Sequence, residues 1–104
     1  MNTASSTTAA SLRLHLVPAG RRLDFDTAPG QYAYVYRRCQ NQSWQCVAHN
    51  ACSPFLDQAP LAPEAAPEYV VRYRDAAGTP VADTSVVRAD PAKLPGSPSW
   101  FALN

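Results

Sequence analysis

The clearest alternation of apolar and polar positions lies in residues 68–78. One parity of this segment is bulky and apolar, and it consists of Tyr69, Val71 and Tyr73. A two-residue period that ends in Asp-Ala-Ala-Gly is typical of a β-strand followed by a turn. The segment is therefore predicted to be a central strand with a buried face.

Three earlier segments alternate with the same period. Residues 12–17 and 22–26 place leucine or phenylalanine on one face and charged residues on the other. Turns of Pro-Ala-Gly and Ala-Pro-Gly separate these segments from each other and from residues 31–38. Each segment is predicted to be a strand, and the arginine pairs at 21–22 and 37–38 are predicted to lie on solvated faces.

Residues 31–38 offer two possible inward faces. One stripe consists of Ala33 and Val35, and the other consists of Tyr32, Tyr34 and Tyr36. Tyrosine has an apolar ring and a polar tip, so the tyrosine stripe can either cover apolar residues at the edge of the fold or form a contact surface. The three tyrosines are candidate partner-binding residues.

The middle and end of the chain predict a hairpin, a crossover and two further strands. Residues 39–48 are predicted to form a hairpin with a polar turn. Residues 53–57 predict a brief strand anchored by Phe55. Three prolines in residues 58–67 predict an extended crossover between two sheets, and residues 83–89 predict the last strand.

Both ends of the chain lack an apolar period. Residues 1–11 are rich in Ser, Thr and Ala and predict a flexible N-terminal arm. The Pro-rich tail, residues 91–104, contains the adjacent Trp100 and Phe101. Such aromatic side chains need a cover. They therefore either fold back on the domain, which is predicted to span residues 12–90, or dock into a partner.

Composition narrows the classes of partner. The chain has 104 residues, enough for one domain, and its nine basic and eight acidic residues leave a net charge of +1. Nucleic-acid-binding proteins usually carry a basic stripe, which these scattered charges do not form, so we expect no nucleic-acid partner. No apolar run approaches the length of a membrane span, and no signal peptide is recognisable. A cytoplasmic or virion location is expected ahead of secretion.

Candidate chemistry is concentrated in one segment. Cys39, Cys46, His49 and Cys52 supply the ligand types of a Cys3His zinc site, but their spacing is unlike a tight Cys-x2-Cys knuckle. The alternatives are a Cys39–Cys46 bridge across the hairpin or three reduced cysteines. No phosphate loop, dinucleotide fingerprint or serine elbow is present. We therefore expect no cofactor and no enzymatic activity.

Several short motifs resemble strands of fibronectin type III domains. Leu-Asp-Phe-Asp-Thr-Ala-Pro resembles the second strand, Tyr-Val-Tyr-Arg the third, Ser-Pro-Phe-Leu-Asp the fifth, Tyr-Val-Val-Arg-Tyr-Arg-Asp-Ala-Ala-Gly the sixth and Val-Val-Arg-Ala the last. These motifs occupy residues 23–29, 34–37, 53–57, 69–78 and 86–89. The chain departs from the pattern in lacking a tryptophan near Phe25 and in residues 39–52.

The resemblance implies an all-β fold, an immunoglobulin-like or fibronectin type III-like sandwich of about seven strands with irregular N- and C-terminal arms. It also implies a binding or spacer module. We expect a non-enzymatic structural or interaction subunit of a larger assembly, such as an accessory virion or particle protein. Its protein partners or identical copies would dock on the arms and on the tyrosine face. The alternative is a secreted or cell-surface recognition module that binds protein or glycan.

Overall fold

The computed structural model describes residues 10–89, which form eight strands in two antiparallel sheets. The strands are β1 (Leu12–Val17), β2 (Gly20–Phe25), β3 (Tyr32–Arg38), β4 (Gln45–Ala48), β5 (Phe55–Asp57), β6 (Glu68–Arg74), β7 (Pro80–Asp83) and β8 (Val87–Arg88). The all-β class expected from the alternation is confirmed, with eight strands in the described range instead of about seven. Most of both predicted arms lies outside the described residues.

The two sheets differ in size. The smaller has the order β1-β2-β5, and the larger has the order β4-β3-β6-β7, with β8 pairing to β6 beside β7. Strand β6 thus lies between β3 on one side and β7 and β8 on the other, which confirms its prediction as a central strand. The Pro-rich segment connects β5 in the smaller sheet to β6 in the larger one, as expected of a crossover, and contains a single 3-10 turn, Pro63–Ala65.

One hydrophobic core receives side chains from both sheets. Its buried members are Leu12, Leu23, Phe25, Ala33, Val35, Tyr69, Val71, Tyr73 and Ala89. The two-residue period explains the selection, because every second side chain of a strand points to the same face. It also settles the ambiguous strand: β3 buries Ala33 and Val35 and turns its tyrosines away from the core.

The prediction of a single last strand over residues 83–89 is wrong in part, because the structure has two strands here: β7, which begins at Pro80 ahead of the predicted range, and β8. The division occurs at Thr84, whose backbone N–H donates to the carbonyl of Val71 at 2.9 Å. The Thr84 hydroxyl oxygen accepts from the N–H of Val71 at 3.0 Å. The Thr84 side chain therefore accepts the hydrogen bond that a backbone carbonyl would accept in a continuous strand pair. Regular pairing with β6 resumes only at Val87.

The contact between β2 and β5 is unusually close at Gly20. A Cβ atom at this position would collide with the carbonyl oxygen of Asp57, so the close approach requires glycine. This close approach places Asp57 directly opposite Arg21, at the start of β2. Over residues 10–89, no helix has the length and apolarity needed to cross a membrane.

Candidate functional site

The outer face of the larger sheet carries aromatic and arginine side chains. Residues of β3 and β6 whose parity is opposite to that of the core point outward, and these are Tyr32, Tyr34, Tyr36, Arg38, Glu68, Val70, Arg72 and Arg74. The register pairs Tyr34 with Arg72 and Tyr36 with Val70, so the two stripes lie side by side. We refer to this surface, together with Trp44, Asp83 and Val86, as the outer face.

A groove of about 270 Å³ crosses the outer face. It is lined by Tyr36, Trp44, Val70, Arg72, Asp83 and Val86. The hairpin brings Trp44 to this position, because β4 pairs with β3 and Tyr36 stands opposite Cys46. The apolar side chain of Val86 lies at the opposite wall and is 51% exposed. The groove is therefore an apolar and aromatic recess open to solvent.

The aromatic wall of the groove is held by ionic contacts. The guanidinium carbon of Arg38 lies 4.4 Å from the centre of the Trp44 ring, a distance suited to a cation–π interaction. Arg38 is itself held by Glu68, with 2.8 Å between Nε and Oε1. The orientation of the Trp44 ring is thus fixed by strands β3 and β6.

The tyrosine stripe is interleaved with arginine. Arg74 lies over the ring of Tyr34 at 5.2 Å and donates to the hydroxyl of Tyr36 at 3.1 Å. Tyr34 also meets His49 in a T-shaped contact with 5.5 Å between ring centres. Tyr34 and Tyr36 are half-buried by these contacts, whereas Tyr32 at the end of the strand is 38% exposed. Tyr36 alone of the three lines the groove.

Charges at the groove are already paired within the chain. Arg72 makes two hydrogen bonds to Asp83, at 2.8 and 3.1 Å. This arrangement satisfies both side chains and leaves a wall of mixed polarity without net charge. Aromatic rings and arginine with paired acids are typical of the centre of protein–protein contacts, where charged groups without partners are depleted.

The residues that could have formed a Cys3His zinc site are not brought together. Cys39 and Cys46 are half-buried and Cys52 is exposed, and all three cysteines are free. His49 packs on Tyr34, and the thiol of Cys46 lies 3.5 Å from the carbonyl of Ala48. Among residues 10–89, no group of three or more His, Cys, Asp or Glu side chains is placed to hold a metal ion. Trp100 and Phe101, the remaining candidate partner-binding residues, lie outside the described residues.

A second cluster, buried between the sheets, was missed by sequence reasoning. Asp57 is only 5% exposed, and its carboxylate accepts two hydrogen bonds from Arg37, at 3.0 and 2.9 Å. The Tyr69 hydroxyl donates to the same carboxylate at 2.5 Å and accepts from Arg21 Nε at 2.6 Å. The second guanidinium arm of Arg21 donates to the carbonyl of Ala59 at 2.7 Å.

This cluster corrects the solvated-face interpretation of two arginines. Strand β2 begins at Gly20, so Arg21 shares the inward parity of Leu23 and is 9% exposed. Arg37 shares the parity of Val35, and its side chain is 14% exposed. Each tandem pair thus sends one arginine inward and one outward, as the two-residue period requires. That parity was the signal available in the sequence.

Burial and hydrogen bonding act in opposite directions on the Asp57 carboxyl. Burial alone would raise its pKa, but the hydrogen bonds from Tyr69 and Arg37 outweigh this effect and hold the pKa below its usual value. Burial and the bond to Asp57 raise the pKa of the Tyr69 hydroxyl well above its ordinary range. The charged carboxylate and the neutral tyrosine are therefore the stable forms. The cluster ties the sheets together and is enclosed, which suits a structural role.

Comparisons of this chain with models of known protein families, with curated proteins and with solved structures found no match. Function must therefore be inferred from the residues of the outer face and of the buried cluster.

Proposed function

We propose that the chain is a non-enzymatic interaction subunit of a larger assembly, in which the outer face packs against a neighbouring copy. The observation that carries this proposal is the groove lined by Tyr36, Trp44 and Val86. It joins exposed apolar surface to aromatic rings held in fixed orientations. Fixed aromatic side chains lose little conformational entropy on binding, which makes them effective anchors.

A fibronectin type III-like sandwich is the fold that we propose for this subunit. In immunoglobulin-type sandwiches the first, second and fifth strands share one sheet, and the third, sixth and seventh share the other. The orders β1-β2-β5 and β3-β6-β7 follow that division, and β4 joins the second sheet beside β3. Such sandwiches serve many functions, so the fold supports the proposal only through the surface that it presents.

Sedimentation velocity of the full chain over a range of concentrations tests the proposed function. We expect reversible self-association that Val86→Glu weakens at least about tenfold, because the glutamate places an unpaired charge in the groove. Leu56→Glu is the matched control. Leu56 is 37% exposed and belongs to the smaller sheet, so this variant should associate like the wild type.

Two results would contradict the proposal. One is a monomer at every concentration. The other is equal weakening by Val86→Glu and Leu56→Glu, which would mean that association depends on net charge and not on the outer face. Far-UV circular dichroism of both variants should match the wild type, since both positions are exposed in the folded chain.

A further inference from the structure

The chain contains a segment whose chemistry matches the groove. Residues 94–104 carry no charged side chain and include Leu94, Trp100, Phe101 and Leu103. The other segment outside the described residues, 1–9, has no aromatic residue. A groove with paired charges and apolar walls favours a neutral, aromatic occupant, because an unpaired charge would lose its hydration there. On these grounds the C-terminal segment fits and the N-terminal segment does not.

The size of the groove suits one large aromatic side chain. A closed apolar cavity of roughly 150 Å³ accepts a benzene molecule. The groove, at about 270 Å³, is large enough to hold an indole or phenyl ring beside Tyr36 and Trp44, which line it. Offset or edge-to-face contacts between such rings are favourable in addition to the area that they bury.

The end of the described chain lies beside the groove. Strand β8 pairs with the start of β6 through Glu68 and Tyr69, and the N–H of Ala89 donates to the carbonyl of Pro67 at 2.8 Å. Tyr36 and Val70, which line the groove, are two residues along the same strand pair from Arg38 and Glu68. Val86, only three residues before Ala89, lines the groove as well.

The chain that follows is long enough to cover this separation. Residues 90–99 connect Ala89 to Trp100. Ten residues can span at most roughly 33–36 Å when fully extended. Three strand spacings, from β8 across β6 and β3 to β4, amount to about 14 Å. Because the connection can span this distance, binding within one chain benefits from a high effective concentration, in the millimolar range for short linkers.

We infer that the C-terminal segment, anchored by Trp100 and Phe101, binds in the groove of its own chain. Trp100 and Phe101 could either fold back on their own domain or dock into a partner. The length of residues 90–99 favours folding back. The segment then covers Tyr36, Trp44 and Val86 in the isolated chain. A neighbouring copy must displace it before the outer face is available. The inference concerns the same groove as the proposed function but does not depend on the existence of a partner.

The fluorescence of Trp44 tests this inference in the full chain. Trp100→Phe makes Trp44 the only tryptophan and keeps an aromatic anchor, whereas Trp100→Ser/Phe101→Ser removes both anchors. We expect acrylamide to quench Trp44 about twofold more strongly in the serine variant, because its ring returns to water. In the Trp100→Phe background, Val86→Glu should increase quenching similarly. Val81→Glu is the control, since Val81 is 47% exposed but does not line the groove.

Two outcomes would overturn the inference. Equal quenching of Trp44 with and without the aromatic anchors would mean that the segment does not cover the groove. Protection that disappears on roughly hundredfold dilution would mean that a second copy supplies the segment, because intramolecular binding is independent of concentration. Protection of Trp44 in a chain that does not self-associate even when Trp100→Ser/Phe101→Ser uncovers the groove would support the inference and reject the proposed function. Self-association that depends on the groove, in a chain whose Trp44 is not protected from acrylamide, would support the proposed function and reject the inference.

Discussion

At the residue scale, Asp57 is the side chain on which the buried polar contacts converge. Its carboxylate receives Arg37 and the Tyr69 hydroxyl, and Arg21 Nη2 lies 3.5 Å away. The N–H of Ala59 also donates to it, at 3.2 Å. A buried ion pair adds little over an apolar pair of the same shape, but removing one member leaves an uncompensated charge. The cluster is therefore sensitive to changes at its centre.

Asp57→Asn should lower the free energy of unfolding by about 3–5 kcal/mol, because it leaves the guanidinium of Arg37 buried without its anion. Urea unfolding followed by circular dichroism measures the change. Asp83→Asn provides the control, since it breaks the exposed pair with Arg72. Its cost should not exceed about 1 kcal/mol. Similar losses in the two variants would show that the Asp57 cluster contributes no more to the free energy of unfolding than the exposed Arg72–Asp83 pair does.

The lowered pKa of Asp57 predicts a specific loss of stability in acid. An unfolded aspartate takes up its proton near pH 3.9, while the folded carboxyl stays charged to lower pH. Below about pH 4 the Asp57 carboxyl is protonated more often in the unfolded chain than in the folded one. The free energy of unfolding therefore falls as the pH falls through the pKa that Asp57 has in the folded chain. Urea titrations at decreasing pH should show this decline, and Asp57→Asn should reduce its slope. An unchanged slope would assign the acid loss to other carboxyl groups.

At the element scale, β6 combines the core and the cluster in one strand. It is paired on both sides, and its Tyr69 is fully buried while the hydroxyl joins the two sheets. The ring therefore contributes packing, and the hydroxyl satisfies polar groups that burial would otherwise leave without partners.

Two substitutions at Tyr69 separate these contributions. Tyr69→Ala should cost about 3–5 kcal/mol, the usual range for a large aromatic truncation in a core. Tyr69→Phe keeps the ring and should cost about 1–3 kcal/mol, because Asp57 and Arg21 lose a partner. Chemical denaturation measures both. Tyr32→Ala, on the exposed end of β3, should change stability by no more than about 0.5 kcal/mol. A mild effect of Tyr69→Ala would argue against β6 as the centre of the core.

The hairpin of β3 and β4 predicts the state of the cysteines. Cys39 and Cys46 are free in the structure, and Cys46 stands opposite Tyr36. A thiol-reactive dye should therefore count three thiols in the unfolded chain purified without reductant under inert gas. The folded chain should react fastest at Cys52, the exposed one. A count of one thiol would instead indicate the Cys39–Cys46 bridge, together with an oxidising origin for the protein.

Alternation in the sequence was sufficient to predict most elements but not the contacts between them. Strands β1, β2, β3 and β6 and the hairpin follow from local patterns. The division at Thr84 does not, because it depends on a side-chain bond to Val71 in another strand. The face of β3 was undecided because Tyr and Val both suit an interior.

The candidate site was predicted in part. The tyrosine stripe indicated the outer face, but the groove also needs Trp44 and Val86, which approach it from β4 and from the segment before β8. The buried cluster was missed because Arg21, Arg37, Asp57 and Tyr69 lie far apart in sequence and meet only when the sheets pack. The two-residue period of a strand places Arg21 and Arg37 inward, but it does not identify Asp57 as their partner.

At the scale of the whole molecule, the cluster and the core make the two sheets one cooperative unit. Arg21 and Asp57 belong to the smaller sheet, and Arg37 and Tyr69 belong to the larger one. The hydrogen bonds among them cross the same interface as the packing of Leu23 and Phe25 against the opposite sheet. Neither sheet can separate from the other without exposing the core and leaving charges unpaired.

Native-state hydrogen exchange on the full chain tests this cooperativity. Slowly exchanging amides of β2 and β6 should report the same opening free energy, equal to that of global unfolding. Asp57→Asn should lower both by the same amount, because its effect reaches each sheet through one transition. If β2 opened at lower free energy than β6, and Asp57→Asn affected β2 alone, the smaller sheet would be a separate unit. The larger sheet, with its groove, would then have to be stable by itself.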